Sequence, residues 1–165
     1  MNKTKLQDLF FVSIIQDKIS LTPIEINNNI NEQILDKIKK KIGNKCYKQG
    51  FIDINSIKLL ERSIGKIKSS HFNGNLIFNI KIEVQICNPL QGDIIKCKVI
   101  GKNKMGILAT NYPLVIALSK MHHDDLSIFD KINENDEIYV KVICSKFELN
   151  DTEIDVIAKF YRFNY

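Results

Sequence analysis

Residues 76–87 read Leu-Ile-Phe-Asn-Ile-Lys-Ile-Glu-Val-Gln-Ile-Cys. Every second side chain from Leu76 to Ile86 is large and apolar, and most of the side chains between them are polar. A period of two is typical of a β-strand with one buried face. The segment therefore predicts a long strand that several neighbouring strands share.

The next five residues, Asn-Pro-Leu-Gln-Gly at 88–92, interrupt this pattern. Pro89 removes a backbone donor and Gly92 permits a tight turn, so neither continues a strand easily. A second alternating segment starts at Asp93. The interruption predicts a boundary between two domains, residues 1–88 and residues 89–165.

The first of these domains is predicted to be a mixed α+β unit. Residues 10–21 are rich in β-branched and aromatic side chains and predict a strand, with a bend or bulge at residues 16–18. Isoleucines and Leu35 at helical spacing predict a helix over residues 30–42, and Gly43 is placed for a left-handed cap. Apolar runs at 51–54 and 64–67 predict further strands, so we expect one helix on a curved antiparallel sheet.

The second domain is predicted to be all β. Alternation and turn residues predict five short strands, with a longer polar excursion after the third. That arrangement is typical of an OB barrel. The predicted strands are Asp93–Ile100, Gly106–Tyr112, Leu114–Leu118, Glu137–Cys144 and Glu153–Phe160.

The composition is that of an ordinary globular protein, with 44% apolar and 26% charged residues in 165. The apolar runs are too short to span a bilayer, and the N-terminal residues lack the apolar core of a signal peptide. We therefore expect no membrane contact and a location in the cytosol or nucleus. The four cysteines are widely spaced, which favours reduced thiols, and alternation predicts that Cys97 and Cys144 face inward. The net charge of +5 is a mild lean toward polyanionic partners.

A basic and aromatic face is predicted on the barrel. Lys96 and Lys98 point outward on its first strand, where Cys97 and Val99 point inward. On the fourth strand, alternation leaves one ring and one further lysine outside. Lysines beside an exposed ring suit single-stranded RNA, with charge for the phosphates and a ring for base stacking, although a solvated strand face is the alternative. The candidate RNA-binding residues are Lys96, Lys98, Lys102, Lys104, Tyr139 and Lys141.

No pattern in the chain predicts a catalytic centre, a metal site or a cofactor. The run His122-His123-Asp124-Asp125 suggests metal ligands, but adjacent residues rarely point at one ion, and loop solvation explains it better. No phosphate-binding loop, nucleophile elbow or zinc-protease motif occurs.

Several short motifs follow one another in an order that resembles a known family. Leu21-Thr22-Pro23 resembles a turn into its helix, and two glycine-bearing strands follow at residues 50–52 and 65–67. Residues 88–93 resemble the family's Pro-Phe-x-Gly-Glu junction into an S1-type OB domain, with Leu90 in place of the aromatic residue. Residues 103–107 resemble the S1 turn, with Met105 and Ile107 where stacking phenylalanines are common. Over nearly its whole length the chain resembles the stalk subunit of archaeal and eukaryotic DNA-directed RNA polymerases, the family of the seventh-largest subunit of RNA polymerase II.

The resemblance implies a non-catalytic polymerase subunit. Its tip domain, residues 1–88, is expected to dock on the large subunits near the base of the clamp, and residues 89–165 are expected to contact nascent RNA weakly. A second stalk subunit is a further partner that the resemblance allows. Glycines permit close backbone approach, so the expected docking residues are Gly50, Phe51, Gly65 and Lys66.

Composition also bears on the source. Heavy use of isoleucine, lysine and asparagine suggests an AT-rich genome, either that of a large DNA virus with its own transcription machinery or that of a protozoan. The expected location is accordingly the nucleus, or a cytoplasmic viral factory or virion.

Two alternatives come from other functional classes. The first is a free-standing S1-type factor in translation or RNA decay, which predicts appreciable affinity for RNA and a steep dependence on salt. The second is an enzyme on an OB scaffold, which requires an acid–base or metal cluster that the sequence does not supply. The tip domain argues against the first alternative, since a stand-alone S1 protein does not need one.

Overall fold

The computed structural model describes residues 9–67 and 73–164. Within those residues the chain divides into two compact units. The first, the sheet unit, holds residues 11–45, 52–67 and 73–86, and the second, the barrel unit, holds residues 9–10, 46–51 and 87–164. In chain order the helices and strands are β1 (Phe11–Leu21), α1 (Ile30–Ile42), β2 (Lys45–Tyr47), β3 (Gly50–Ile52), β4 (Lys58–Arg62), β5 (Lys66–Ile67), β6 (Leu76–Cys87), β7 (Ile94–Lys102), β8 (Gly106–Asn111), β9 (Leu114–Ser119), α2 (Ser127–Lys131), β10 (Glu137–Lys146) and β11 (Ile154–Phe163).

Strand β6 is the centre of the sheet unit, as its alternation predicts. It pairs with β1 along the whole length of β1, from Phe11 opposite Ile86 to Leu21 opposite Leu76. Strands β4 and β5 pair with β6 as well, both antiparallel. The register between β1 and β6 has no shift, so the prediction of a bulge at residues 16–18 is wrong. A continuous ladder already satisfies the backbone groups there, and nothing is gained by breaking it.

Helix α1 covers one face of this sheet. Ile34, Ile38 and Ile42 form its buried stripe, as the spacing predicts. On the strands, the buried positions alternate with exposed ones, as in Ile15 and Ile19 of β1. One helix on an antiparallel sheet confirms the predicted α+β architecture.

The end of α1 differs from the prediction. Gly43 is extended, with φ at −68°, and Asn44 takes the left-handed conformation with φ at 51°. A Cβ on Gly43 would lie 2.5 Å from the carbonyl oxygen of Lys39 and 2.6 Å from the side chain of Ile54. Glycine is therefore required here because the neighbouring atoms lie too close for a side chain.

The barrel unit contains a closed barrel in the order β10-β11-β9-β8-β7. Its pairs are antiparallel except β9 with β11, which is parallel. This is the predicted OB-type barrel, with each predicted strand present to within a few residues. The polar excursion after β9 includes the short helix α2, and Phe129 and Ile132 from this region join the barrel core. None of the helices in the described part of the chain is both long and apolar enough to cross a membrane.

The direction of Cys144 was predicted incorrectly by alternation. Ile138, Val140 and Val142 face inward as expected, but Cys144 is exposed. Between Val142 and Cys144 the register against β11 shifts by one residue, so that Cys144 lies opposite the exposed Ile157. A β-bulge of this kind inserts one residue and reverses the inward and outward sides beyond it.

Residues 46–51 belong to the barrel unit. The amide of Cys46 donates to the carbonyl of Asp151 at 2.7 Å, and the amide of Asn150 donates to the carbonyl of Cys46 at 2.8 Å. Phe51 is buried in the same core as the barrel side chains. The boundary after residue 88 stays a prediction.

Candidate nucleic-acid interface

Strand β10 lies between β7 and β11, and this places most of the predicted RNA-binding residues together. Tyr139 is directly opposite Lys96 on one side and Arg162 on the other. Two pairs further along, Glu137 is opposite Lys98. In the other direction, Lys141 pairs with Lys159 on β11. We refer to this surface as the basic face, formed by Lys96, Lys98, Tyr139, Lys141, Lys159 and Arg162.

Arg162 was not among the predicted residues because the predicted fifth strand ended at Phe160, and alternation continued past that point would not have found it. Ile154, Val156 and Ala158 of β11 are buried, so strict alternation would turn position 162 inward. The register shifts between Tyr139 and Val140, which leaves Tyr161 as the extra residue. Arg162 is consequently exposed, and its Cζ lies 4.7 Å from the centroid of the Tyr139 ring. No signal in the sequence marks this bulge.

Arg162 and Tyr139 line a cleft of about 460 Å³. Phe163 and Asn164 complete its lining. A guanidinium this close to an aromatic ring is attracted to it by the cation–π interaction. A cleft with one cation and one ring is the combination that base stacking and phosphate contact use.

Lys96 differs from the free lysine that alternation suggests. Its Nζ lies 2.7 Å from Oε2 of Glu137, and the side-chain Nδ2 of Asn164 donates to the same oxygen at 2.9 Å. The hydrogen bond from Lys96 is the main cause that lowers the pKa of Glu137, and the same bond raises the pKa of Lys96. Both groups are therefore charged near neutral pH, and the carboxylate sits within the basic face.

The structure separates two of the predicted lysines from the others. Pairing of β7 with β10 covers residues 94–98 only, and Lys102 lies beyond it at the end of β7. Its Nζ donates to the carbonyl of Ile132 at 3.3 Å. Lys104 is exposed in the turn to β8, where Oδ1 of Asn103 accepts from the amides of Met105 and Gly106. Four strand residues from Lys98 to Lys102 span roughly 13 Å, so these two lysines are not part of the basic face.

The predicted docking residues fall in two different units. Gly50 and Phe51 are buried in the barrel unit, where the Phe51 ring packs edge-to-face on Tyr112 with 5.5 Å between centroids. Gly65 and Lys66 lie in the sheet unit. A Cβ on Gly65 would approach the Phe78 ring to 2.8 Å, so the lack of a side chain lets this segment lie close against β6. Lys66 is exposed, and its neighbours Ile64 and Ile67 are 86% and 72% exposed.

The His-His-Asp-Asp segment has a structural role in place of a metal site. His123 accepts the amide hydrogen of Phe160 at Nε2, with 2.8 Å between the nitrogens, and its Nδ1 lies 2.8 Å from the carbonyl oxygen of Ser119. This pattern requires the neutral tautomer with hydrogen on Nδ1. Among the described residues no group of three or more histidine, cysteine or carboxylate side chains is placed to hold a metal ion.

The buried cysteines are not suited to chemistry at neutral pH. Burial raises the pKa of Cys46 to about 11, and the pKa of both Cys87 and Cys97 to about 12. Because the thiolate is the reactive form, these three side chains act as small apolar core residues.

Comparison with known proteins finds relatives along most of the chain, although no protein-family model matches it. A protein of Acanthamoeba polyphaga mimivirus named as a DNA-directed RNA polymerase subunit is 29% identical over 165 residues, covering 93% of this chain and 82% of the relative. DNA-directed RNA polymerase II subunit 7 of Arabidopsis thaliana is 28% identical over 114 residues, covering 68% and 62%. DNA-directed RNA polymerase II subunit RPB7 of Glycine max is 23% identical over 158 residues, covering 87% and 88%.

Proposed function

From its homology to the seventh subunit of RNA polymerase II, we infer that this chain is a subunit of a multisubunit DNA-directed RNA polymerase. The resemblance predicted from the short motifs is thereby confirmed. Beyond this, we propose that the chain is a non-catalytic stalk subunit, which docks on the large subunits and contacts RNA near its exit path. The viral relative also supports the hypothesis of a large DNA virus as the source.

The observation that carries the RNA contact is the cross-strand row Lys96–Tyr139–Arg162. Two cations and a ring from three adjacent strands share one exposed face, and the cleft lies at its Arg162 end. Lys98 and Lys141 add two further exposed ammonium groups on the same strands. This arrangement supports backbone contact with a single strand and stacking of one base, without a requirement for a particular sequence.

Docking on the polymerase core is proposed for the sheet unit. The segment at residues 64–67 exposes two isoleucines and Lys66. It lies close against β6 because Gly65 has no side chain. Clustered exposed apolar side chains are typical of protein contact sites, whereas single ones are common on any surface. Gly50 and Phe51 are buried in the barrel unit, so they are not part of this docking surface.

Domain roles and location follow from this assignment. Residues 1–88 would form the tip domain and residues 89–165 the S1-type domain, with the polymerase large subunits, a second stalk subunit and nascent RNA as partners. The site of action would be the nucleus or, for a viral enzyme, the cytoplasmic viral factory.

The test is an affinity isolation of the tagged chain from its native source at moderate salt, followed by mass spectrometry. The proposal predicts large polymerase subunits in near-equal amounts. A variant with Ile64→Asp and Ile67→Asp is expected to lose those subunits from the isolated complex. Its unfolding curve should match that of the wild type, which shows that the loss is not due to misfolding. Recovery of ribosomal or RNA-decay proteins without polymerase would contradict the proposal and favour the free-standing S1 factor.

A further inference from the structure

We propose that Glu137 is an exchangeable counter-ion on the basic face, which an RNA phosphate displaces from Lys96. This inference rests on the RNA contact proposed above and deepens it, because it assigns a role to an acidic residue at the centre of a basic surface. The role is to weaken the contact until the strand is in place.

The geometry puts the carboxylate where a phosphate would bind. Oε2 of Glu137 lies 2.7 Å from Nζ of Lys96 and accepts a hydrogen bond from the side-chain Nδ2 of Asn164 at 2.9 Å. Glu137 is also directly opposite Lys98 in the register of β7 and β10. An anionic oxygen with two nitrogen donors in reach resembles the way a phosphate oxygen is held.

The ion pair of Lys96 and Glu137 is open to water, so replacing the carboxylate by an RNA phosphate costs little free energy. The side chains of Lys96 and Glu137 are 41% and 51% exposed. Ion pairs this exposed contribute little to stability, since solvent screens them and both side chains lose freedom when they pair. A phosphate can offer Lys96 the same contact, and Lys98 and Arg162 then add attraction that the carboxylate itself opposes.

The consequence is an affinity below that of an unopposed basic face. Glu137 cancels one positive charge and repels phosphates that approach Lys96 or Lys98. A contact that weakens and reforms easily suits a transcript that moves past the surface. The carboxylate would thus keep the site from holding RNA in one place.

The experiment measures binding of a labelled oligoribonucleotide of about twelve nucleotides by fluorescence anisotropy. We expect Glu137→Gln to bind about two- to five-fold more tightly at low salt. Because the exchange lets Lys96 contact a phosphate in both proteins, the slope of log affinity against log salt should change little, and a slope steeper by about 0.7, the value for one more neutralised phosphate on a single strand, would overturn the exchange. Glu61→Gln is the matched control, because Glu61 also pairs with a lysine, Lys81 at 2.9 Å, but in the sheet unit. It is expected to leave the affinity unchanged.

Other variants separate the exchange from the RNA contact on which it rests. If the exchange occurs at Lys96, the gain from Glu137→Gln shrinks in a Lys96→Gln background. Unchanged or weaker binding of Glu137→Gln, in a protein whose affinity still falls with Lys98→Gln, overturns the exchange and leaves the RNA contact intact. If neither Lys98→Gln nor Lys141→Gln lowers the affinity, the basic face does not bind RNA, and the exchange fails with it.

Discussion

The guanidinium carbon of Arg162 lies 4.7 Å from the centre of the Tyr139 ring, across the β10–β11 pair of the barrel. A one-residue bulge at Tyr161 brings the two side chains to the same face. Tyr139 in turn is opposite Lys96, so three strands contribute to one row. The RNA contact proposed for this chain depends on that row.

Arg162→Gln should therefore weaken RNA binding. The change removes a phosphate contact, so the slope of log affinity against log salt is expected to fall by about 0.7. Arg62→Gln is a matched control, because Arg62 also lies over a ring, that of Phe78 at 5.8 Å, in the sheet unit. Equal losses from both variants would mean that net charge alone, and not the basic face, sets the affinity.

The barrel offers a sharp test of packing at Gly106. A Cβ at this position would lie 2.1 Å from the carbonyl oxygen of Leu118 on β9, a backbone atom that cannot move without disturbing the ladder. Gly106→Ala is expected to lower the free energy of unfolding by about 1–3 kcal/mol. Gly101→Ala is the control, since no atom lies within 4 Å of its added Cβ. Urea denaturation that ranks the two variants equally would contradict this packing.

His123 gives a second test of stability. The His123 and Phe129 rings lie 4.8 Å apart between centroids. His123→Phe keeps a ring that can pack on Phe129, but the Phe160 amide and the Ser119 carbonyl lose their hydrogen bonds to the imidazole. We expect a loss of about 1–3 kcal/mol in the free energy of unfolding. The exposed His122, changed to Phe, should stay within about 0.5 kcal/mol of wild type. A loss of equal size at both positions would show that the two hydrogen bonds do not stabilise the barrel.

Glu25 predicts how stability depends on pH. Its hydrogen bond with Lys37, 2.9 Å long, and its contacts with Thr22 lower the pKa of the carboxyl from 4.5 to about 2. Because the folded pKa is the lower one, the stabilisation is complete above pH 4.5 and disappears as pH falls toward 2. Glu25→Gln should reduce the change of the urea midpoint with pH across this window. Glu32→Gln, which changes an exposed carboxylate on α1, is the control and should keep the wild-type pH dependence. If the urea midpoint of Glu25→Gln varies with pH as that of the wild type does, the Glu25–Lys37 ion pair does not stabilise the fold.

Period-two alternation was sufficient to predict β6, the five barrel strands and the outward side of Lys96, Lys98, Tyr139 and Lys141. It succeeded because Lys96 and Lys98 precede the register shift on β7, and because β10 has no extra residue of its own before Lys141. It failed for Cys144, which follows a bulge that reverses the two faces, and it did not reach Arg162, which lies past the predicted end of the fifth strand and beyond a second bulge. A bulge depends on the partner strand, so the sequence of one strand does not reveal it.

Pairing across strands also limits what the sequence alone can predict. Glu137 and Lys96 are distant in the chain, and only the register of β10 with β7 brings them together. Gly43 shows the same limit in another form. Its position after α1 suggested a left-handed cap, but the need for glycine comes from Ile54 and the Lys39 carbonyl oxygen close by.

The most direct test of the account is lysine crosslinking with mass spectrometry on the complex isolated through the tagged chain. Lys66 is exposed beside Ile64 and Ile67, so the account predicts crosslinks from Lys66 to a large polymerase subunit that co-purifies in near-equal amount. Large subunits that are absent, or that crosslink to this chain through the basic-face lysines and never through Lys66, would contradict the proposed docking and RNA-facing arrangement.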